Sequence, residues 1–257
     1  MKNFTLKQKI KNSELTIGSW ITTNSPNIAE VMLKSHFDWL TIDVEHSALT
    51  IGDVQHLVRV IELSGTPALV RVGENNENLI KRVMDTGATG VIVPMVNTKE
   101  DALKAVKAAK YPPVGTRGVG LARAQGYGLE FGKYKNWVNQ ESIVVIQIEH
   151  IEAVNNIEDI LQVPGLDAFI VGPYDLSASL GVPGEFEDPR VINALKKVIE
   201  ASKRFKIPAG FHVIPPDVQA MTRKIDEGYR FVAFSLDTLI LGEACQKAMA
   251  GLRKVKQ

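Results

Sequence analysis

The sequence contains a single cysteine, Cys245, and no apolar run long enough to cross a membrane. A lone thiol has no intrachain disulfide partner, which is consistent with a reducing cytosol. A membrane span would need about 20 consecutive apolar residues. The first residues, Met1 to Glu14, are polar and rich in lysine, without the apolar centre of a secretory signal. We therefore expect a cytoplasmic protein that does not bind membranes.

A strongly basic or acidic balance is also missing, since 30 Lys and Arg face 29 Asp and Glu, for a formal net charge of +1. The basic residues are scattered, so no nucleic-acid partner is expected. No Ser/Gly/Pro-rich stretch or low-complexity run divides the chain. With 45% hydrophobic residues over 257 positions, the sequence predicts a single domain spanning 1–257 with a sizeable core.

Short apolar strands alternate with helices along the whole sequence. The clearest strand contains Ile143 to Ile146, four consecutive β-branched residues typical of a strand buried on both faces of a parallel sheet. Helix starts carry capping signals, such as Ser25 before Pro26, and Thr50 with Asp53. The predicted strands lie at 16–21, 38–44, 67–71, 89–93, 142–150, 167–171, 208–213 and 231–236, and the longest predicted helices at 189–205 and 238–254.

Eight strands alternating with helices over about 250 residues are typical of a (β/α)8 TIM barrel. A doubly wound open sheet is the alternative, but it rarely reaches eight units at this length without a linker. The polar residues before Thr16 form an additional N-terminal segment. The segment 111–128 breaks the alternation with prolines, glycines, Arg117 and Arg123, as functional or disordered loops do. Its Gly-Val-Gly at 118–120 follows proline rather than a strand, so it is not a dinucleotide fingerprint.

Polar side chains follow most of the predicted strands, at the ends where barrel enzymes carry their chemistry. Carboxylates without nearby cysteine indicate a hard cation, Mg2+ or Mn2+ with Co2+ as a further candidate, rather than zinc. Such a cation can polarise the carbonyl of a 2-oxo acid. The strand-end residues are Asp43, Glu45, His46, Arg71, Gln147, Glu149, Asp175 and His212.

The same positions distinguish among chemistries. Arg71 is suited to bind a developing enolate oxygen, and His46 is suited to move a proton near neutral pH. Asp85 can orient His46 only if the end of its helix meets the loop after the second strand. No lysine ends a predicted strand, which argues against an imine-forming aldolase. The segments 214–216 and 237–238 lack phosphate-binding glycines, which favours an unphosphorylated substrate.

These residues lie in motifs that together resemble the HpcH/HpaI family of metal-dependent, pyruvate-utilising class II aldolases, close to its 4-hydroxy-2-oxoheptanedioate aldolases. The resemblance extends from Gly18 to about Ala250. Taken singly, none of the motifs would be specific. They are FDWLTIDVEH at 37–46, VR at 70–71, VPMV at 93–96, YPP at 111–113, GTRG at 115–118, QIE at 147–149 and GPYDLS at 172–177.

The resemblance implies reversible cleavage of a 4-hydroxy-2-oxo acid to pyruvate and an aldehyde, through a pyruvate enolate held at the metal. His46 is then the base, made more basic by Asp85, and Arg71 steadies the transition state. It also implies a hexameric homo-oligomer, a trimer of dimers in which the last helix is exchanged between partners. The active sites would lie near subunit boundaries.

The resemblance further implies that Glu149 and Asp175 hold the metal. Gln147 and the backbone amides of Tyr174 and Asp175 would bind pyruvate. Two features depart from the family pattern. Tyr174 is bulky where the residue before the metal aspartate is often small, and the loop 121–127 differs from that of the best-known members.

Two other hypotheses stay open. The same scaffold can serve an oxaloacetate decarboxylase, a lyase acting on a citryl-like thioester, or carbon–phosphorus chemistry, and a barrel can also be kept for binding alone. The complete strand-end set argues against the last. Outside the motifs, Arg123 and His212 are assigned equally to acceptor contact and to a structural role. His36, His56 and His150 are not assigned to the site.

Overall fold

Eight parallel strands close into a barrel in which each strand pairs with the next and the last pairs with the first. The computed structural model describes residues 5–255, with side chains through residue 253. The closed barrel of eight parallel strands confirms the predicted (β/α)8 architecture. The strands are β1 (Thr16–Ile21), β2 (Trp39–Asp43), β3 (Ala68–Arg71), β4 (Gly90–Val93), β5 (Ile143–Ile148), β6 (Ala168–Val171), β7 (Ala209–Val213) and β8 (Phe231–Leu236).

Helices follow the strands and form a ring around the barrel. The predicted capping box of Thr50 with Asp53 is present, and the helix predicted at 189–205 has those bounds. No described helix is both long enough and apolar enough to span a bilayer. The helices are α1 (Leu6–Lys11), α2 (Pro26–Leu33), α3 (Ile51–Leu63), α4 (Glu77–Asp85), α5 (Lys99–Ala109), α6 (Phe131–Gln140), α7 (Ile151–Asn155), α8 (Ile157–Leu161), α9 (Pro173–Ser179), α10 (Pro189–Phe205), α11 (Val218–Glu227) and α12 (Asp237–Val255), with a 3-10 helix at Arg123–Gly128.

The amino end of the barrel is closed by α1. Its Leu6 and Ile10 are buried in the cluster that fills the barrel interior, together with Trp39 and Phe231, whose rings stack 4.2 Å apart. The sequence prediction treated this segment as a polar lead-in. The missed signal was the capping box that Thr5 makes with the third residue of the helix. Because apolar side chains fill the amino end of the barrel interior, the polar interior side chains lie at the carboxyl end.

Helix α12 projects away from the ring of helices. In a (β/α)8 barrel the eighth helix ordinarily packs between the seventh and the first. Here most described residues from Leu241 onward are exposed. Val31 on α2 and Val218 on α11, which flank the eighth position, are 67% and 71% exposed. The ring therefore presents apolar surface where a helix is expected.

Candidate active site

The ends of β2 and β3 hold an arginine in a fixed position. Arg71 Nε and Nη2 donate to the two carboxylate oxygens of Asp43 at 2.9 and 2.7 Å. The guanidinium carbon also lies 4.4 Å from the ring centre of Trp20 on β1, in a cation–π contact. A buried, two-point carboxylate contact orients the guanidinium before any ligand arrives. Nothing in the sequence pattern distinguished Trp20 from an ordinary core tryptophan.

Glu45 and His46 follow β2 at the mouth of the barrel. Glu45 Oε2 lies 3.1 Å from Arg71 Nη1 and 3.8 Å from His46 Nε2. Burial raises the pKa of Glu45 to about 7; Arg71 opposes the shift, and the carboxylates of Glu149, Asp43 and Asp175 add to it. The side chain of His46 is 67% exposed, so the imidazole is accessible to a substrate.

The end of β5 supplies a buried carboxylate. Met95 N donates to Glu149 Oε1 at 2.7 Å, and Gln147 Nε2 donates to Glu149 Oε2. Gln147 and Glu149 thus share a side of the strand, as the two-residue spacing predicts. Burial raises the pKa of Glu149, the hydrogen bonds from Met95 and Gln147 lower it, and Asp175 raises it. A Cβ on Gly172 would come within 2.9 Å of Glu149 Oε2, so glycine is needed there.

Asp175 lies in the first turn of α9, directly after β6, and is exposed. No side chain caps the start of this helix, so the amides of Tyr174 and Asp175 are not used by a cap. The ring of Tyr174 is half exposed and meets Phe186 edge to face, with centres 4.9 Å apart. The bulky ring therefore packs against Phe186 at the surface rather than filling the barrel.

The donor set around Glu149 suits a hard divalent cation with open positions. Among residues 5–255, no three His, Cys, Asp or Glu side chains converge as a complete metal site. Glu149 and Asp175 follow the neighbouring strands β5 and β6, and the charge of Asp175 contributes to the raised pKa of Glu149. The amide oxygen of Gln147 is buried without a hydrogen-bond partner. Mg2+ and Mn2+ accept such an incomplete oxygen set and keep waters or substrate as further ligands. The residues present fit the expected ion.

Asp85 does not meet His46 within one chain. It lies in the last turn of α4, just before the amino end of β4, whereas His46 follows the carboxyl end of β2. The nine residues of α4 run back along the barrel, a rise of about 13 Å. Asp85 Oδ1 instead accepts from Arg117 Nη2 at 2.5 Å. The expected contact is therefore wrong for a single chain, because helix direction separates the two residues.

The other Asp85 oxygen is free of hydrogen bonds from any part of the chain that the structure describes. Gly120 lies beside it, and a Cβ there would be 3.8 Å from Oδ2. Arg117, which is buried, also donates to Tyr134 Oη at 2.9 Å. The guanidinium thus holds Asp85 from the inside and leaves Oδ2 facing outward.

Arg123 and His212, each assigned equally to acceptor contact and to a structural role, occupy different places. Arg123 donates to the backbone oxygen of Thr86 at 2.8 Å and ties its loop to the end of α4. His212 lies inside the barrel, with Nε2 3.1 Å from the carbonyl oxygen of Ser235 and its ring 5.2 Å from that of Trp20. Burial lowers the pKa of His212 to about 4, with the Ser235 contact opposing the shift. His212 is therefore a neutral donor beneath the site.

Comparison with known proteins gives consistent matches over nearly the full length. The family model described as HpcH/HpaI aldolase/citrate lyase matches residues 16–244. A 2-keto-3-deoxy-L-rhamnonate aldolase of Klebsiella pneumoniae subsp. pneumoniae is 38% identical, over 95% of this chain and 91% of that protein. The crystal structure of an HpcH/HpaI aldolase/citrate lyase family protein from Burkholderia cenocepacia J2315 superimposes with a TM-score of 0.91 at 33% identity, covering 96% and 98% of the two chains. The citrate synthase SbnG superimposes with a TM-score of 0.84 at 28% identity, covering 98% of each chain.

Proposed function

Because the chain belongs to the HpcH/HpaI aldolase/citrate lyase family, we propose that it reversibly cleaves a 4-hydroxy-2-oxo acid to pyruvate and an aldehyde. It is a carbon–carbon lyase of the aldehyde-lyase type, as its relatives are. The observation that carries the proposal is the pair of carboxylates Glu149 and Asp175 beside the fixed Arg71 and the exposed His46. The 2-keto-3-deoxy acid named for the relatives suggests sugar-acid substrates of this class.

Each residue of the chain has a separate task in this reaction. A divalent cation on Glu149 and Asp175, Mg2+ or Mn2+, would polarise the carbonyl of the 2-oxo acid. Arg71, locked by Asp43, donates to the oxygen on which negative charge develops during cleavage. In cleavage, His46 takes the proton from the C4 hydroxyl. The imidazolium of His46 then returns the proton to C3 as pyruvate forms.

Pyruvate would be oriented by groups at the ends of β5 and β6. The Nε2 group of Gln147, which has a second hydrogen besides the one it donates to Glu149, and the uncapped amides of Tyr174 and Asp175 would donate to its carboxylate. Backbone amides at the start of a helix favour negative charge. The exposed ring of Tyr174 then borders the space for the aldehyde.

Asp85 acts in this scheme only on a second copy of the chain. Its free oxygen faces outward at the amino end of the barrel, where the segment 114–129 exposes several large apolar side chains. A contact of this end with the mouth of another barrel would cover that surface and bring Asp85 towards the second copy's His46. The exposed side chains are Val114, Val119, Leu121, Tyr127 and Leu129.

The projecting helix α12 supports an exchange between partners. Leu241, Ala244, Ala248 and Leu252 follow helical spacing along one side of it. This stripe is apolar, and so is the surface exposed at Val31 and Val218, against which the helix of a partner could pack. A trimer of dimers requires two distinct interfaces, and exchange of α12 together with the contact at Asp85 would supply them. We expect this assembly in the cytoplasm.

Proton exchange of pyruvate tests the function directly. The protein is incubated with pyruvate in D2O, with and without Mg2+ or Mn2+, and the methyl protons are followed by NMR. We expect metal-dependent loss of the methyl signal, because enolisation removes protons from that carbon. No exchange with either metal would contradict the proposal.

A second candidate is synthesis or cleavage of a citrate-like acid. It is favoured by the 28% identity with the citrate synthase SbnG over 98% of both chains. Oxaloacetate with an acetyl thioester, followed by NMR, separates the two reactions. Formation of citrate at a rate above that of pyruvate exchange would favour the second candidate, whereas pyruvate exchange without formation of citrate would favour the first.

A further inference from the structure

His46 has a carboxylate neighbour in its own chain. Among residues 5–255, the carboxylate within 4.0 Å of its imidazole is that of Glu45, with Oε2 3.8 Å from Nε2. The same oxygen lies 3.1 Å from Arg71 Nη1. One oxygen therefore stands between the base and the arginine of the proposed reaction.

Arg71 does not require Glu45 to be held in place. Asp43 already binds the guanidinium through two hydrogen bonds. The ion pair of Arg71 with Glu45 lacks hydrogen-bond geometry, since Glu45 Oε2 is buried without a hydrogen-bond partner. A buried acceptor without a partner costs stability, so Glu45 Oε2 favours a nearby hydrogen-bond donor.

We propose that Glu45 is a positioning residue for His46, and this rests on the proposed function. On closing the 3.8 Å gap to His46, the carboxylate would accept the Nε2 hydrogen of the imidazole, which leaves Nδ1 unprotonated and turned towards the substrate. When Nδ1 takes the proton of the C4 hydroxyl, the adjacent carboxylate offsets the new positive charge. Asp85 of a second copy would add charge at the mouth of the site, whereas Glu45 sets the ring's orientation.

The surroundings of Glu45 keep its carboxylate responsive to the charge on His46. It is largely enclosed, so its interaction with a neighbouring imidazolium is less screened than on the surface. Arg71 is the cation that faces it. The other charged groups around it are Asp43 on β2, Glu149 on β5 and Asp175 on α9.

Two reactions of the same enzyme separate positioning from general damage. Exchange of the pyruvate methyl group requires a base to remove a proton from C3. Decarboxylation of oxaloacetate breaks the C3–C4 bond, releases CO2 and leaves its electron pair in the enolate, so no base is needed in that step. Both reactions need the metal ligands and Arg71. Only methyl exchange needs His46 in the step that forms the enolate.

The test compares Glu45→Gln, Glu45→Asp and His46→Asn in the assembled protein, at saturating Mn2+. We expect Glu45→Gln to lower the exchange rate constant by about 10- to 100-fold, with the KM for pyruvate unchanged and decarboxylation within about threefold of the unaltered protein. The acid limb of its exchange pH profile moves to lower pH. Glu45→Asp, which keeps the charge, recovers part of the exchange rate.

A double variant decides whether Glu45 acts through His46. Glu45→Gln combined with His46→Asn is expected to exchange no more slowly than His46→Asn alone. The positioning role would be overturned if the two losses of exchange rate multiplied in the double variant. It would also be overturned if the acid limb of Glu45→Gln did not move, or if Glu45→Gln lost decarboxylation as much as exchange. An acid limb that moves in Asp85→Asn but not in Glu45→Gln would also overturn it. Absence of both reactions in the unaltered protein would instead refute the proposed function, and the positioning role with it.

Discussion

Asp43 and Arg71 are register partners on β2 and β3, and their side chains meet through two hydrogen bonds of 2.9 and 2.7 Å. The same Asp43 oxygen that binds Arg71 Nε also accepts the backbone amides of Glu45 and His46, at 3.1 and 3.3 Å. One carboxylate therefore fixes both the arginine and the loop that carries the base. Strand register alone places these groups side by side.

Replacing the arginine tests this arrangement. Arg71→Lys cannot keep the two-point contact with Asp43, so the charge that faces the developing enolate loses its fixed position. We expect kcat to fall by about 100-fold or more for both pyruvate exchange and oxaloacetate decarboxylation. Steady-state kinetics at saturating Mn2+ measure this. Arg204→Lys, at an exposed position of α10 where the arginine pairs with Glu158, is the matched control, and a decarboxylation rate unchanged in Arg71→Lys would contradict the role.

The metal ligands can be tested by stability as well as by activity. A cation that binds only the folded protein stabilises it by about 2.7 kcal/mol at a concentration 100 times its dissociation constant. We expect Mn2+ to raise the melting temperature of the unaltered protein and to leave that of Glu149→Gln unchanged, while circular dichroism shows the same fold. Full activity of Glu149→Gln, after chelation and metal titration, would refute the assignment.

Mixing two impaired variants tests the contribution of Asp85 across subunits. His46→Asn and Asp85→Asn chains, dissociated and reassembled together, can form sites that combine an intact His46 with a second copy's intact Asp85. Because each site would meet one neighbouring chain, random mixing should restore about a quarter of the sites. Native mass spectrometry verifies the mixing. Mixed assemblies that are no more active than the two separate variants would exclude the proposed contact.

The buried imidazole of His212 predicts acid sensitivity. Its pKa falls from 6.5 to about 4 on folding, chiefly through burial. Between these values the unfolded chain binds a proton that the folded chain does not. The free energy of unfolding should therefore decrease as the pH falls from about 6.5 towards 4, by at most about 3 kcal/mol from this group.

Urea unfolding at fixed protein concentration measures that slope. His212→Gln, whose amide can still donate to Ser235, should show a flatter pH dependence over the same interval. His56→Gln, on an exposed site, should retain the slope of the unaltered protein. Equal slopes in both variants would show that another group is responsible.

The exchange of α12 can be broken by one charge. Leu241→Asp places a carboxylate on the apolar stripe of this helix, where burial against a partner would be costly. We expect smaller assemblies in sedimentation velocity and an intact barrel by circular dichroism. Lys247→Asp, on the exposed part of the same helix, is the charge control. An unchanged sedimentation coefficient in Leu241→Asp would argue against exchange through this stripe.

The barrel itself followed from local patterns. Runs such as Ile143 to Ile146 predict buried parallel strands, and Thr50 with Asp53 marks a helix start, because both depend on neighbours within a few residues. The shared side of Gln147 and Glu149 follows from the two-residue repeat of a strand. The family motifs added roles for these residues, and the family comparisons agree with that resemblance.

The arrangement of distant residues was decided only by the tertiary structure. Asp85 and His46 lie at opposite ends of the barrel because α4 runs against the strands. Trp20 on β1 reaches Arg71 on β3 across the intervening strand β2, and Leu6 becomes core only when α1 plugs the interior. Spacing along a chain encodes which face a residue occupies. Which faces meet depends on helix direction, on closure of the sheet and on the packing of the whole barrel.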